Sequence, residues 1–232
     1  MSVAIVTGAS RGLGRAVAAA LAARGWDLVL DARGAQALKE AAAGIAASGV
    51  RVEALAGDVM DAAHRAELVA AAGRLGGVDL LVNNAGLLGA EPLVPLAEQP
   101  LEGFRAALEA NLVAPLGLLQ EALPWLRRSA VGAVVNVSSD AAVEAYRTWG
   151  AYGATKAGAD LLSAVLAVEE PGLRVWWVDP GGMRTRMAAA AEPGEDLSGM
   201  PAPEEVAPAF VRLLQERPAS GRYTASALLE AR

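Results

Sequence analysis

The chain has 232 residues, of which 54% are hydrophobic and 20% are charged. That length suits one α/β domain covering residues 1–232, and the apolar content excludes a disordered chain. The formal net charge of −6 gives no reason to expect nucleic acid or an anionic membrane as a partner. Because cysteine is absent, disulfides and thiolate metal sites are excluded.

Short aliphatic runs alternate with alanine-rich helical patterns along the chain. The predicted strands cover residues 3–7, 27–32, 51–56, 78–82, 132–138, 173–179 and 221–226. The first predicted helix ends near residue 24. The other predicted helices cover about 35–47, 61–75, 101–128, 149–169 and 204–216. This alternation predicts right-handed βαβ units. The expected fold class is therefore α/β, a Rossmann-type doubly wound parallel sheet of about seven strands with helices on both faces.

Three local features qualify this scheme. Pro115 lies inside the helical stretch 101–128, so we expect a break or kink near Asn111. The segment 183–203 is rich in proline, glycine and methionine and is predicted to form a mobile lid. The one histidine, His64, stands in a predicted surface helix, where we expect a solvated side chain and no metal site.

The composition also bears on where the protein works. No charge-free apolar run reaches the ~18 residues that a membrane-spanning helix needs. No basic segment precedes the first apolar run, so no signal peptide is expected. These observations predict a cytoplasmic protein.

A glycine-rich turn, Thr7–Gly14, joins the first strand to the first helix. Glycines there let the backbone approach a pyrophosphate, and the helix N-terminus supplies amide donors. Asp58 and Asn83 follow the third and fourth strands. Because the carboxyl ends of parallel strands meet at one edge of the sheet, we expect all three features at one shared site.

Tyr152 and Lys156 stand four residues apart in a predicted helix, so both side chains lie on one face. A cation near a phenol favours the phenolate and lowers its pKa from about 10, which would make the pair an acid/base couple. The alternative is an exposed tyrosine and a solvated lysine. The chain has only two lysines against eighteen arginines, which favours a specific role for Lys156.

The chain resembles the short-chain dehydrogenase/reductase family over nearly its whole length. Seven motifs of that family occur in it in the expected order. Ser139 precedes Tyr152 by thirteen residues, the spacing typical of that family. The matching elements are TGxxxGxG at 7–14, the pair Asp58-Val59, NNAG at 83–86, Asn111, Ser139, YxxxK at 152–156 and PGxxxT at 180–185.

The resemblance implies four catalytic residues. Tyr152 would protonate a carbonyl oxygen as hydride arrives, and Lys156 would lower the pKa of the tyrosine and hold the nicotinamide ribose. Ser139 would donate a hydrogen bond to the substrate oxygen, and Asn111 would hold a water that leads to Lys156. Ser138 is the alternative to Ser139, because neighbouring strand residues point to opposite faces and only one can reach the substrate. The thirteen-residue spacing favours Ser139.

The resemblance also implies a cofactor-binding set at the carboxyl ends of the strands. Its members are Gly8, Ser10, Arg11, Gly12, Leu13, Gly14, Arg33, Asp58, Val59, Asn83, Ala85, Gly86, Tyr152, Lys156, Pro180, Gly181, Met183 and Thr185.

The choice between NADP(H) and NAD(H) depends on the end of the second strand. Family members that prefer NAD place an acid where this chain has Ala32. Asp31 is one residue earlier and should point the other way. Arg33 and Arg11 suit a 2′-phosphate through their fork geometry. NADP(H) is therefore favoured, and NAD(H) is the alternative.

The expected activity is that of an NADPH-dependent carbonyl reductase or alcohol dehydrogenase acting on a small-molecule carbonyl or alcohol. One alternative is a catalytically silent NADP(H)-binding regulator or scaffold. A relative of the epimerases or dehydratases is a third interpretation, disfavoured because those chains run longer. The resemblance also implies a homodimer or homotetramer. The shortened end of the chain makes the tetramer doubtful, and the helices near 101–128 and 149–169 would form the dimer.

Overall fold

The computed structural model describes residues 1–230, and within that range seven strands form one parallel sheet. The strands are β1 (Val3–Val6), β2 (Asp27–Ala32), β3 (Val52–Ala56), β4 (Leu80–Asn83), β5 (Ala133–Val137), β6 (Arg174–Asp179) and β7 (Gly221–Thr224). The helices are α1 (Gly12–Ala22), α2 (Ala35–Ala46), α3 (Ala62–Leu75), α4 (Leu101–Leu108), α5 (Ala114–Arg128), α6 (Gly150–Glu169), α7 (Arg186–Ala191), α8 (Pro203–Glu216) and α9 (Ala225–Glu230). The strand order is β3-β2-β1-β4-β5-β6-β7, which confirms the predicted Rossmann-type fold.

Helices cover both faces of the sheet, and the pleat of β1 shows how. Ala4 and Val6 pack into a core that also holds Phe210 of α8 and parts of α1 and α2. Val3 and Ile5 face the opposite core, which α3, α5 and α6 close. Because both faces are buried, β1 is apolar without alternation, as parallel strands often are.

The strand order reverses between β1 and β4. From β1 the chain moves outward through β2 to β3, and from β4 it moves outward in the other direction. A crevice opens at the carboxyl ends of the strands at such a reversal, and ligands bind there in open α/β sheets. The glycine-rich turn after β1 and the residues after β4 therefore border one crevice.

The predicted break in the long helical stretch is confirmed. A π-helical turn, Glu109–Val113, separates α4 from α5. Pro115 takes the second position of α5, and its missing N–H removes one backbone hydrogen bond where the π turn passes into this helix. The extra residue of a π turn places Asn111 at the irregularity, where such turns often serve a site.

The prediction for the end of the chain is wrong beyond Thr224. The sequence was expected to stay extended to Ser226, but β7 ends at Thr224 and α9 follows. The Thr224 hydroxyl accepts a hydrogen bond from the Ala227 amide at 3.2 Å, which caps the new helix. Leu228 is buried in the core beside α8, so packing fixes this short helix.

The expectation of a solvated His64 is also wrong. The side chain is 7% exposed, and its Nε2 lies 2.7 Å from Oδ1 of Asp31. A Cβ at Gly57 would come within 2.3 Å of the imidazole Nδ1, so glycine at that position leaves the space that the ring occupies. Residues far apart in the chain create this pocket, and helical periodicity carries no sign of it.

No helix within residues 1–230 is long and apolar enough to cross a membrane.

Candidate active site

One cavity of about 1300 Å³ opens at the carboxyl edge of the sheet. Its wall takes in the turn after β1, the ends of β2, β3, β4 and β5, the start of α6 and the segment after β6. The predicted site residues that line it are Gly8, Ser10, Arg11, Gly12, Leu13, Arg33, Asp58, Val59, Ala85, Gly86, Ser139, Tyr152, Lys156, Pro180, Gly181, Met183 and Thr185. Three predicted site residues do not line the cavity: Gly14, Asn83 and Asn111. They pack or form hydrogen bonds within the protein instead.

The glycine-rich turn requires glycine at positions 8 and 14. Gly8 has a φ of 66°, a conformation that side-chain-bearing residues rarely adopt. A Cβ at Gly14 would lie 2.5 Å from both the Gly8 carbonyl oxygen and Nδ2 of Asn84. The first turn of α1 can therefore press against Gly8 only because residue 14 is glycine.

Thr7 and Asn84 brace this turn from beneath. The Thr7 hydroxyl accepts hydrogen bonds from the amides of Asn84 and Ala85, each at 3.0 Å. Asn84 Nδ2 donates back to the Thr7 carbonyl at 2.9 Å. These reciprocal bonds join the ends of β1 and β4. Sequence reasoning did not assign this role to Thr7 or Asn84, although both lie in the motifs that it quoted.

Asn83, predicted to line the cofactor site, lies in β4 with its side chain inside the sheet. Its Nδ2 donates to Oδ1 of Asn136 at 2.8 Å, and Nδ2 of Asn136 donates to Ser163 Oγ at 2.7 Å. Because successive strand residues point to opposite faces, the residue that reaches the glycine turn is Asn84.

Two arginines converge at the outer end of β2. Arg11, from the glycine-rich turn, and Arg33, which follows β2, both line the cavity. A Cβ at Gly34 would lie 3.8 Å from Nη2 of Arg11, which brings that guanidinium beside the residue that follows Arg33. This end of the cavity can hold a doubly charged anion such as a phosphate.

Tyr152 and Lys156 lie in the first half of α6, and both are buried. Trp149 packs edge-on against the Tyr152 ring, with the ring centroids 5.6 Å apart. Lys156 Nζ donates to the Val137 carbonyl at 2.7 Å and lies 5.5 Å from the centroid of the tyrosine ring. An ammonium has three N–H donors, so two remain for other partners at the cavity wall.

The pKa of Tyr152 does not follow the sequence expectation. Burial raises the pKa of the phenol, the charges of Asp140 and Asp179 raise it further, and the Ser139 hydroxyl opposes them. Lys156 is not among the groups that shift it, and burial lowers the pKa of the Lys156 ammonium to about 8. In this arrangement Tyr152 is held as a neutral phenol, ready to donate a proton rather than accept one.

Ser139 reaches the cavity at the end of β5 and is already engaged. Its hydroxyl donates to Oδ1 of Asp140 at 2.9 Å and accepts from the Ala141 amide at 3.2 Å. Ser138 also borders the cavity, but it is almost fully buried. A hydroxyl has one proton, so Ser139 must turn away from Asp140 to donate to a substrate oxygen.

Asn111 fastens the loop after β4 to α6. Its Oδ1 accepts from the Leu87 amide at 2.8 Å, and its Nδ2 donates to the Leu87 carbonyl at 2.9 Å and to Thr155 Oγ1 at 2.8 Å. Both N–H groups of the amide are thus used within the protein. A water that leads to Lys156 would have to bind through other atoms of this turn.

Arg222 of β7 contacts Ser139, although it lies near the far end of the sequence. Its Nη2 donates to the Ser139 carbonyl at 2.8 Å, and its Nε donates to Oδ2 of Asp160 at 3.1 Å. The same guanidinium lies 3.5 Å from Asp179. Arg222 therefore ties the serine loop to α6 and β6. No motif marks it, since the contact joins residues 83 positions apart.

The segment 183–203, predicted to be a lid, contains α7 and borders the cavity through Met187 and Glu192. Trp149 Nε1 donates to Oε1 of Glu192 at 3.1 Å. The Leu93 amide also donates to the Ala191 carbonyl at 3.1 Å. These contacts place the segment over the cavity beside Tyr152.

The comparison with known proteins agrees with this arrangement. The model of the short chain dehydrogenase family matches residues 2–196. The chain belongs to the short chain dehydrogenase family. As a family member it is an oxidoreductase, and its substrate must be argued from the cavity.

Individual relatives support the assignment. The chain is 33% identical over 218 residues to the uncharacterized oxidoreductase YciK of Escherichia coli K12, covering 90% of this chain and 84% of the relative. A short chain dehydrogenase of Shigella flexneri 2a, complexed with NADP, superposes with a TM-score of 0.91 at 30% identity over 97% of both chains. An alcohol dehydrogenase of the archaeon Thermococcus sibiricus, complexed with 5-hydroxy-NADP, gives 0.87 at 31% identity over 97% of this chain and 95% of that one.

Proposed function

We propose that this short chain dehydrogenase interconverts a small-molecule carbonyl and a secondary alcohol with NADP(H) as its cofactor. The observation that carries the proposal is the position of Tyr152. Tyr152, Ser139 and Lys156 line the same cavity as the glycine cradle around Gly8. A proton donor and a dinucleotide cradle thus share one space.

The cavity fits the proposed cofactor at two points. The cradle at Gly8 and Gly14 lets a pyrophosphate approach the backbone at the N-terminus of α1. Arg11 and Arg33 offer two guanidinium groups for a 2′-phosphate. The similar chains from Shigella flexneri, with NADP, and from Escherichia coli CFT073, with NADPH, support the same choice.

Each side chain of the catalytic edge would then have a defined task. A bound nicotinamide supplies or accepts the hydride. Tyr152 donates its proton to the carbonyl oxygen, a step worth roughly 10²–10⁴-fold in rate. Ser139 turns from Asp140 and donates to the same oxygen as negative charge grows on it. Lys156 offers its remaining N–H donors to the ribose.

The substrate end of the cavity is mainly apolar. Leu87, Trp149, Met187 and Met200 line it, with the sulfur atoms of the two methionines able to adapt to different shapes. The charged side chains of Arg147 and Glu192 stand at its border. This lining supports an apolar ketone, aldehyde or 3-oxoacyl thioester as substrate.

We also propose a homodimer. The side of α6 that faces away from the sheet is apolar and exposed, with Leu161 at 67% and Val168 at 81% exposure. Val165, one turn after Leu161, is 44% exposed and continues the stripe. An apolar stripe of this kind is suited to a second copy of the same helix. Light scattering should give twice the chain mass for the protein and a lower mass for Val165→Asp.

The proposed reaction is tested by NADPH oxidation against ketones, aldehydes, diketones and 3-oxoacyl thioesters. For a substrate that turns over, kcat/KM with NADPH should exceed that with NADH. A charge-assisted hydrogen bond is worth roughly 1.5–3 kcal/mol, so Arg33→Ala should lower kcat/KM for NADPH by about tenfold and leave NADH nearly unchanged. Lys39→Ala, at an exposed lysine of α2, is the control for loss of a positive charge. A ratio below one in the unmodified protein would contradict the NADP(H) assignment.

A further inference from the structure

Asp31 is a carboxylate in an unexpected place. It is 2% exposed, yet it lies in the wall of the cavity between Gly8 and Ala32, where the adenosine ribose of the proposed cofactor would bind. A carboxylate at the end of this strand can accept hydrogen bonds from a ribose 2′-hydroxyl, and it repels a 2′-phosphate. An unshielded Asp31 would therefore work against Arg11 and Arg33.

The structure occupies both oxygens of this carboxylate within the protein. Oδ1 lies 2.7 Å from Nε2 of His64, and Oδ2 accepts a longer bond from the Gly8 amide at 3.4 Å. The shorter contact belongs to His64, which reaches across from α3. The carboxylate is thus aimed toward α3 rather than outward.

The position of His64 is itself enforced by the fold. The ring is buried beside Gly57, where any Cβ would collide with it at 2.3 Å. His64 is the only histidine in the sequence, and neither the cavity wall nor the proposed chemistry uses it directly. A buried titratable group with one defined partner and a space cleared for it indicates a specific task.

The charges around Asp31 explain what that task is. Burial raises the pKa of the Asp31 carboxyl, the hydrogen bond and charge of His64 oppose the shift, and Asp58 adds to it. The carboxylate has two close partners, His64 at 2.7 Å and the Gly8 amide at 3.4 Å, and His64 makes the shorter contact. Arg11 and Arg33 border the same cavity and carry the charge that a 2′-phosphate would meet.

We propose that His64 is a positioning residue for cofactor selectivity, whose hydrogen bond holds the Asp31 carboxylate toward α3 so that the cavity accepts a 2′-phosphate. The inference rests on the proposed NADP(H) preference. It also decides between two groups that could read the cofactor: Arg33 does so while His64 holds Asp31, and Asp31 takes over when His64 is removed.

The test is isothermal titration calorimetry of NADP⁺ and NAD⁺ with the full-length protein and three variants. In His64→Ala, the freed carboxylate should repel the phosphate and accept from the 2′-hydroxyl. The NADP⁺ to NAD⁺ affinity ratio should fall by about tenfold or more. In Asp31→Asn alone the ratio should change by less than about twofold, because the hydrogen bond of His64 already holds the side chain away from the phosphate. The double variant should return to the ratio of Asp31→Asn.

The possible outcomes separate the role of His64 from the NADP(H) assignment. An unchanged ratio in His64→Ala, with a normal thermal transition, would overturn the role of His64 and leave the NADP(H) assignment intact. If His64→Ala does not fold, Asp31→Asn still decides: a ratio raised fivefold or more would mean that the carboxylate already acts on the phosphate, and the shielding proposal would fail. An unmodified protein that binds NAD⁺ more tightly than NADP⁺ would remove both proposals.

Discussion

The glycine-rich turn and the proposed catalytic edge, which holds Ser139, Tyr152 and Lys156, line one cavity and are built by opposite means. The turn depends on absent side chains: Gly8 and Gly14 hold a shape that a single Cβ would destroy. The catalytic edge depends on side chains whose chemistry burial alters, above all Tyr152 and Lys156. Substitutions in the turn should therefore act through sterics and binding. Removal of the Tyr152 hydroxyl should act through proton transfer and leave cofactor binding nearly intact.

The largest effect is expected at the catalytic edge. Tyr152→Phe removes the phenolic proton and keeps the ring that packs against Trp149. The rate of hydride transfer should fall by about 10²–10⁴-fold, while NADPH affinity stays within a few-fold. Single-turnover absorbance at the NADPH band, beside a calorimetric titration, separates the two quantities. A single-turnover rate near that of the unmodified protein would remove Tyr152 from the mechanism.

The turn should show the reverse pattern. Gly14→Ala places a Cβ 2.5 Å from the Gly8 carbonyl oxygen, so the backbone must shift. We expect a loss of about 1–3 kcal/mol of unfolding free energy and weaker NADPH binding, as overpacking usually costs that much. Gly44→Ala is the matched control, because Gly44 lies in α2 and a Cβ there meets no described atom within 4 Å. That change should stabilise the protein by about 0.5–1 kcal/mol and leave NADPH affinity unchanged. Equal effects of the two changes would refute the steric account of the turn.

The smallest expected effect is a shift in one titration. Burial lowers the pKa of Lys156 to about 8, and the only other lysine, Lys39, is exposed on α2. In protein labelled with ¹³C at lysine Cε, the Lys156 signal should titrate near pH 8, and Lys156→Met assigns it. The unfolded state keeps its proton up to about pH 10.4, so this group makes unfolding free energy rise with pH between those values. A midpoint near 10.4 in the folded protein would mean that Lys156 is not desolvated as the structure indicates.

The contrast between the two regions also explains what the sequence could predict. The strands and the position of the turn follow from short aliphatic runs, helical periodicity and Gly8, Gly12 and Gly14, because these are local signals. The break in the helical stretch near Asn111 was predicted from Pro115, another local signal. Motif residues such as Ser139 and Tyr152 then fell beside the same cavity because the carboxyl ends of parallel strands share one edge.

What the sequence did not reveal depends on contacts between distant residues. His64 was expected in solvent, because nothing near it in the chain shows the space left by Gly57 or the partner Asp31. Arg222 braces Ser139 from a strand whose continuation into a helix was missed. The raised pKa of Tyr152 arises from burial, which spacing alone does not report.

If the glycine-rich turn and the proposed catalytic edge act together on one carbonyl carbon, a hydride from the bound cofactor should arrive at that carbon. NADPH carrying deuterium at the transferable position would be incubated with the protein and each carbonyl class, and the alcohol analysed by mass spectrometry. We expect one deuterium on the carbinol carbon of at least one product. With Tyr152→Phe, this labelled product should not form. NADPH that binds tightly but transfers deuterium to no member of any class would contradict it and would favour a cofactor-binding regulator.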